Sequence, residues 1–134
     1  MNDYEVACNP NTPPEILARL ANVGDFFVRN RAARNPNTPP ETLNRLANDD
    51  NSGIREGVAQ NPYTPPEILK RLADDEIAVR CAVGMNPNTP IETLERLAID
   101  ENISWVRYHV VVNPNTPQYL KNYLKIKEFL SCYE

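Results

Sequence analysis

The dipeptide Asn-Pro divides this sequence at almost constant intervals. It occurs at residues 9, 35, 61, 86 and 113, and the steps between copies are 26, 26, 25 and 27 residues. A fixed period between 20 and 50 residues is typical of repeat architectures. The 134-residue chain has 13 prolines, and their fixed places within the period predict ordered turns rather than disorder.

Each copy extends the same pattern beyond Asn-Pro. One variable residue separates Asn-Pro from Thr-Pro, and four copies continue with a glutamate and two leucines three residues apart. An arginine after a β-branched residue lies six residues before the next Asn-Pro. The repeated residues are Thr12, Thr38, Thr64, Thr89 and Thr116, Glu15, Glu41, Glu67 and Glu92, and Arg29, Arg55, Arg80 and Arg107.

Two helices per unit follow from this pattern. Thr-Pro-x-Glu matches a capping box, in which the threonine hydroxyl accepts from an amide of the first turn and the glutamate returns to the threonine amide. A first helix, helix A, is predicted to begin at residue 13 and its equivalents and to run for about ten residues, with proline tolerated at its first position. A second helix, helix B, must end before Asn-Pro, because proline disfavours helical backbone in the residue before it. Helix B is therefore predicted to be short, roughly eight residues at most, and partly 3₁₀.

Neither helix can bury its apolar stripe alone, so the units are expected to stack into a solenoid with a continuous core. The sequence predicts an all-α fold of about five two-helix repeats in a single domain, residues 1–134. Residues 1–22 form an N-terminal half-repeat cap, residues 23–117 the central repeats, and residues 118–134 a longer, more aromatic closing helix. Capping is the main role expected of that helix, and dimerisation through its aromatic side chains is the alternative.

The unit Val-Arg-x-x-Val-Ala-x-Asn-Pro-x-Thr-Pro-x-x-x-Leu-x-x-Leu-Ala resembles the leucine-rich repeat variant family of bacteria, over residues 6–117. The resemblance implies a right-handed superhelix of alternating α- and 3₁₀-helices, similar to HEAT-type solenoids. One family member carries an iron–sulfur centre on an N-terminal cysteine cluster. This sequence has only Cys8 in that region, so no cofactor is expected. The family has no common activity to transfer.

Charge and cysteine content narrow the function classes. The net charge is −4, which is unfavourable for binding nucleic acid through its phosphates. Three widely spaced cysteines, Cys8, Cys81 and Cys132, predict free thiols in a reducing cytoplasm. No apolar run approaches the length of a membrane span, and the N-terminus lacks the pattern of a signal peptide, so no membrane partner is expected.

The repeated arginines are interpreted as structural. An acidic residue lies six or seven positions before three of them, at Asp49, Asp74 and Asp100, which predicts ion pairs within each preceding turn. A second series, Arg19, Arg45, Arg71 and Arg96, lies near the C-terminus of helix A, where the helix dipole favours a cation. The asparagines of Asn-Pro are expected to bond backbone amides in Asx-type turns.

The positions that vary between copies point to a non-enzymatic protein- or peptide-binding scaffold of unknown oligomeric state. Trp105, Tyr108 and His109 form the most unusual local cluster, which is either a packing patch or part of a binding surface. The candidate surface comprises Asn30, Arg31, Arg34, Glu56, Gln60, Met85, Trp105, Tyr108, His109 and Val112.

Two other function classes stay open. One is nucleic-acid binding through an arginine-rich face, and the other is an enzyme or small-molecule carrier built on the aromatic cluster. The sequence shows no glycine-rich phosphate loop, nucleophile motif or zinc motif, so catalytic and metal sites are not expected. The arginines of the first alternative are Arg19, Arg31, Arg34, Arg45 and Arg71.

Overall fold

A computed structural model describes residues 1–99 and 103–132, and within these ranges the regular secondary structure is all helical. This confirms the predicted fold class. The described helices are α1 (Asp3–Cys8), α2 (Pro14–Leu20), α3 (Phe26–Arg34), α4 (Pro40–Leu46), α5 (Ser52–Gln60), α6 (Pro66–Leu72), α7 (Ile77–Met85), α8 (Ile91–Ala98), α9 (Ser104–Val112) and α10 (Gln118–Ser131).

The helices form two layers. The odd-numbered helices are the B helices, and each packs directly on the next along the chain, from α1 to α9. The even-numbered helices are the A helices, which pack mainly on the B helices and touch one another less. Because the B helices approach one another more closely than the A helices do, we infer that the array curves toward the B layer, whose outward face we call the concave face. Residues 1–22, predicted as a half-repeat cap, contain α1 and α2.

The core lies between the two layers and runs through the stack. A helices contribute their paired leucines, such as Leu43 and Leu46, and B helices contribute Ile54, Val58 and their equivalents, all almost fully buried. Small residues on the B helices allow the close approach. A Cβ atom at Gly57 would lie 3.2 Å from the Cβ of Ala33, so this position leaves no room for a larger side chain.

Helix B is longer than predicted. α3, α5, α7 and α9 each have nine residues of α-helix, whereas α2, α4 and α6 have only seven. The 3₁₀ geometry is confined to helix ends. In α3 the Asn35 amide donates to the Ala32 carbonyl at 3.3 Å, and in α5 the Ile54 amide donates to the Asn51 carbonyl at 3.0 Å. The residue before a proline disfavours helical backbone, and here that residue is the asparagine, which is already extended. All nine residues before it can therefore remain helical.

The predicted capping box is wrong. In α2, α4, α6, α8 and α10 the N-cap is the proline that follows the threonine, and no side chain caps the helix. The threonine amide is already engaged, because it closes a turn by donating to the asparagine carbonyl, as Thr64 does to Asn61 at 3.1 Å. The threonine hydroxyl donates back to helix B, as Thr64 does to the Val58 carbonyl at 2.6 Å. The repeated glutamates remain in the first turn, where the helix dipole favours a negative charge.

The asparagines of Asn-Pro make the predicted Asx-type bonds and also join the units together. The Asn61 Oδ1 atom accepts from the Tyr63 amide at 2.9 Å. Its Nδ2 atom donates to two carbonyls of the preceding unit, Ala33 at 2.9 Å and Asn35 at 3.0 Å. Asn35, Asn86 and Asn113 make the same pair of bonds to the units before them. These buried side chains form an asparagine ladder through the stack.

Two of the repeated arginines, Arg29 and Arg55, form ion pairs with acids of the following unit rather than of the preceding turn. Arg55 binds the Asp75 carboxylate through Nε at 2.7 Å and Nη2 at 3.0 Å. Its Nη1 atom donates to the Asp49 carbonyl at 2.7 Å, while the Asp49 carboxylate binds Arg29 at 3.1 Å. The carboxylate comes from the following unit because the turn before each of these two arginines offers backbone carbonyls to the guanidinium.

The other predicted pairs also change. The Asp74 carboxylate, expected to bind Arg80, lies 3.4 Å from the Arg96 Nη1 atom. Asp100, the acid expected for Arg107, lies outside the described residues. Arg107 itself is buried at the same place in its unit.

The last A helix departs from the others at one core position. Lys121 stands where Leu17, Leu43, Leu69 and Leu94 are fully buried in their units. Leu120 and Leu124 keep the inner side of α10 packed on the core. A charged residue at the outer core position is typical of a terminal repeat whose next face is not covered.

We predict that Asn61→Ala lowers the free energy of unfolding by about 3 kcal/mol, because it leaves two buried carbonyls without these partners. Asn9→Ala is the matched control. Asn9 makes the same bond to its turn, from Oδ1 to the Asn11 amide at 2.9 Å, but it is exposed at the first step of the ladder. Its loss should cost about 1 kcal/mol or less. Equal losses in urea-induced unfolding would contradict the ladder.

A pH dependence follows from the Arg55–Asp75 pair, whose hydrogen bond lowers the pKa of the Asp75 carboxyl. A lowered folded-state pKa gives stability that is complete above the unfolded value of about 3.9 and is lost as the pH falls through the folded value. Asp75→Asn should therefore be less stable than the wild type at neutral pH, and the difference should disappear well below pH 4. Asp74→Asn, which changes an exposed carboxylate, is the control for pH-dependent unfolding.

Candidate functional site

The concave face of the B helices carries every residue of the predicted binding surface. α3 supplies Asn30, Arg31 and Arg34, α5 supplies Glu56 and Gln60, α7 supplies Met85, and α9 supplies the rest. Asn30, Glu56 and His109 are half-buried, and the others are exposed. We call this set the concave surface. Its ten members are Asn30, Arg31, Arg34, Glu56, Gln60, Met85, Trp105, Tyr108, His109 and Val112.

An open groove of about 460 Å³ lies at the centre of the concave surface. Glu56 and Gln60 form one wall, Met85 lies in the middle, and His109 forms the far wall. The groove thus brings together four of the predicted residues from three successive B helices. Ala78, Cys81, Ala82, Asn86 and Pro87 complete its lining.

The aromatic cluster on α9 borders this groove. Trp105 is 66% exposed and Tyr108 is 52% exposed, and their ring centroids lie 6.1 Å apart in an edge-to-face arrangement. The His109 Nδ1 atom lies 2.6 Å from the Trp105 carbonyl. Because a carbonyl can only accept, Nδ1 carries the proton and Nε2 is the acceptor of the neutral ring. The cluster can therefore offer apolar surface and one imidazole nitrogen to a ligand.

The opposite end of the concave surface is basic. Arg31 donates from Nε to the Tyr4 hydroxyl at 3.1 Å, and its guanidinium lies 5.4 Å from the Tyr4 ring centroid. Arg34 donates to Asn30 Oδ1 at 3.0 Å. No carboxylate within residues 1–99 and 103–132 pairs with either arginine. Both side chains are thus oriented by neutral groups and keep their full charge for an anionic partner.

The arginines of the nucleic-acid hypothesis do not share a face. Arg31 and Arg34 lie on B helix α3, whereas Arg19, Arg45 and Arg71 lie on A helices. Arg45 donates to the Ala18 carbonyl at 3.1 Å, and Arg71 donates to Asn44 Oδ1 at 3.0 Å. The second arginine series therefore also joins neighbouring A helices, a role that the sequence interpretation missed.

Sequence reasoning also missed Tyr4 and Cys81. Tyr4 is separated from Arg31 by a full repeat, so only the stacking of α1 on α3 brings them together. Cys81 lies four residues before Met85 on the same helix face, and this spacing was the available signal for its place in the groove. Burial raises the pKa of the Cys81 thiol, which keeps it protonated at neutral pH.

The sequence was compared with models of known protein families, and one segment of the chain matches a repeat family. Residues 29–76 match the Leucine Rich Repeat Variant domain. This segment of the chain is therefore similar to that repeat domain. The matched segment covers α3 to the turn after α6, including the first two complete arginine–aspartate pairs of this repeat domain. No curated protein and no solved structure matched the chain in the corresponding searches.

Two further features of the repeat domain concern its chemistry. In the part of the chain that the structure describes, no group of three or more His, Cys, Asp or Glu side chains is placed to hold a metal ion. Across the same residues, no helix has the length and apolar character that crossing a membrane requires.

The three thiols should differ in reactivity toward iodoacetamide at neutral pH. Alkylation requires the thiolate, and Cys81 is half-buried with a raised pKa, whereas Cys8 and Cys132 are exposed. Mass spectrometry of peptides from briefly labelled protein should show Cys8 and Cys132 modified first and Cys81 clearly later. In urea the three should react at similar rates. Fast labelling of Cys81 in the folded protein would contradict the described burial.

Proposed function

We propose that this repeat domain is a non-enzymatic scaffold that binds a protein or peptide along its concave surface. The observation that carries the proposal is the exposure of Met85, Trp105, Tyr108 and Val112 on one continuous layer of B helices. Tryptophan and tyrosine dominate the energetics of protein interfaces, because they bury much apolar area with little loss of conformational freedom. An exposed apolar patch of this kind is typical of an interaction site.

The surface is supported by a rigid framework. The asparagine ladder joins the B helices, and Arg29 and Arg55 each bind backbone carbonyls of the preceding turn and a carboxylate of the next unit, so the outward side chains keep a constant spacing. A preorganised surface loses less entropy on binding than a flexible one. The outward residues vary from unit to unit while the framework repeats, which is how a solenoid acquires a specific partner.

The distribution of side chains defines the chemistry of the partner. The α3 end is basic, the centre carries Glu56 and Gln60, and the α7–α9 end is apolar. At about 9–10 Å between packed helices, α3 and α9 lie roughly 30 Å apart, which an extended peptide spans with about nine residues. The proposed partner is a segment with an acidic group at one end and large apolar side chains at the other.

We also propose that the protein acts in a bacterial cytoplasm. The family resemblance and the three free thiols support this location, since free cysteines persist in reducing compartments.

The test is selection of binding peptides from a displayed random library, followed by titration of the full chain. Trp105 is the only tryptophan in the sequence, so its fluorescence reports directly on the proposed surface. We expect a blue shift on binding and enrichment of peptides that combine acidic and aromatic residues. Binding of these peptides should also slow the alkylation of Cys81, which lines the groove.

Variants on and off the surface make this test specific. Met85→Ala with Tyr108→Ala should weaken binding at least about tenfold, equal to 1.4 kcal/mol. Arg31→Ala with Arg34→Ala should weaken it and reduce its dependence on salt. Tyr63→Ala is the control, because Tyr63 is an equally exposed aromatic outside the concave surface. Peptide binding that is unchanged by Met85→Ala with Tyr108→Ala would contradict the proposal. So would a protein that binds no peptide but gives a salt-dependent mobility shift with nucleic acid.

A further inference from the structure

We propose that α10 pairs with α10 of a second copy of this chain, through an apolar stripe that faces away from the core. The stripe consists of Tyr119, Tyr123, Ile126 and Leu130, which are between 43% and 60% exposed. Their spacing of four, three and four residues places them on one face of an α-helix, as in the seam of a coiled coil. We call these four residues the α10 stripe.

The equivalent positions on the other A helices are mostly polar or charged. At the three positions that correspond to Tyr119, Tyr123 and Ile126, α2 and the turn after it carry Glu15, Arg19 and Asn22. The units of α4 and α6 carry the same charged pattern, with Asn48 and Asp74 at the third position. The α8 unit carries Glu92, Arg96 and Ile99, and Ile99 is 59% exposed. The Tyr119 hydroxyl donates to the Glu95 carboxylate, but only in the last unit are the first two positions uncharged.

The core contacts of α10 are made by other residues. Leu120 and Leu124 are buried against the preceding unit. At 100° per residue, they lie on a side of the helix about a quarter to a third of a turn away from the α10 stripe. The need to cap the core therefore explains Leu120 and Leu124 but not the α10 stripe. In addition, α10 is about two turns longer than α2, α4 and α6.

A second copy fits the symmetry of the α10 stripe. The spacing is the same in both directions, so an antiparallel twofold pair places Tyr119 opposite the partner's Leu130 and Tyr123 opposite the partner's Ile126. Each layer then joins one aromatic and one aliphatic side chain, whereas a parallel pair would oppose tyrosine with tyrosine. Lys121, Lys125 and Glu128 lie on the far half of the helix. Lys127 borders the α10 stripe, and its Nζ atom lies 5.9 Å from the Tyr123 ring centroid, so one cation flanks the seam in each copy.

The available area matches a weak dimer. A large side chain offers on the order of 200 Å². The α10 stripe and the adjoining Phe129, 62% exposed, therefore present roughly 500 Å² per copy and about 1,000 Å² in a pair. This lies at the lower limit for a specific interface, so we expect a weak, concentration-dependent dimer.

The experiment is sedimentation equilibrium of the full chain over a range of concentrations. The wild type should move from a 15.2 kDa monomer to a species of twice that mass as concentration rises. The variant Tyr119→Gln, Tyr123→Arg, Ile126→Asn carries the residues of the first unit at its last two positions and keeps a donor beside the Glu95 carboxylate, so it should fold normally by circular dichroism. We expect it to remain monomeric at concentrations where the wild type is mostly dimeric, which is at least a tenfold weakening.

The control is Met85→Ala with Tyr108→Ala, which removes apolar surface from the concave face and should leave the dimer unchanged. A monomeric wild type at the highest soluble concentration would overturn the proposal, as would a dimer that persists in the triple variant. The same proteins are also mixed with phosphatidylcholine–phosphatidylserine vesicles. A wild type that stays monomeric but floats with the vesicles would assign the α10 stripe to a lipid surface instead.

Discussion

The structure depends on one repeated interaction, the buried asparagine amide that joins each unit to the one before it. Its Nδ2 atom donates to two carbonyls of the preceding unit, and its Oδ1 atom accepts from an amide of its own turn. Asparagine alone combines these donors and acceptor on so short a side chain. The proline that follows ends helix B and opens the turn, so the amide enters the space between successive units. The Asn-Pro dipeptide that defines the sequence period thus also makes the hydrogen bonds that join successive units.

These hydrogen bonds between units determine where a binding surface can form. The asparagine ladder and the small residues of the B helices draw that layer together, and the A layer spreads on the other side. In α3 and α5, Arg29 and Arg55 hold the opposite end of the helix, because each binds two backbone carbonyls and a carboxylate of the next unit. With both ends fixed, the outward positions of the B helices are free to differ, and they change from basic at α3 to aromatic at α9.

Much of the fold could be predicted from the sequence because its signals were local and repeated. The two helices, the Asx turns and the surface positions of helix B all follow from spacing. The capping box was wrong because the threonine amide has a competing acceptor, the Asn61 carbonyl in one unit, that a pattern of side chains does not show. The arginine pairs were assigned to the wrong acids because Asp75, twenty residues after Arg55, becomes its neighbour only through stacking. Tyr4 and Arg31 meet for the same reason. What the sequence lacked was the geometry between units.

The most direct test of this account is hydrogen exchange of asparagine side-chain amides, measured by NMR on the folded protein. The account predicts that the Nδ2 protons of Asn35, Asn61, Asn86 and Asn113 exchange slowly, because each is buried and donates to two carbonyls of the preceding unit. The side-chain amide of Asn9, which is exposed, should exchange rapidly. If all five amides exchange at the same rapid rate, the asparagine side chains do not join the units and the central claim is wrong.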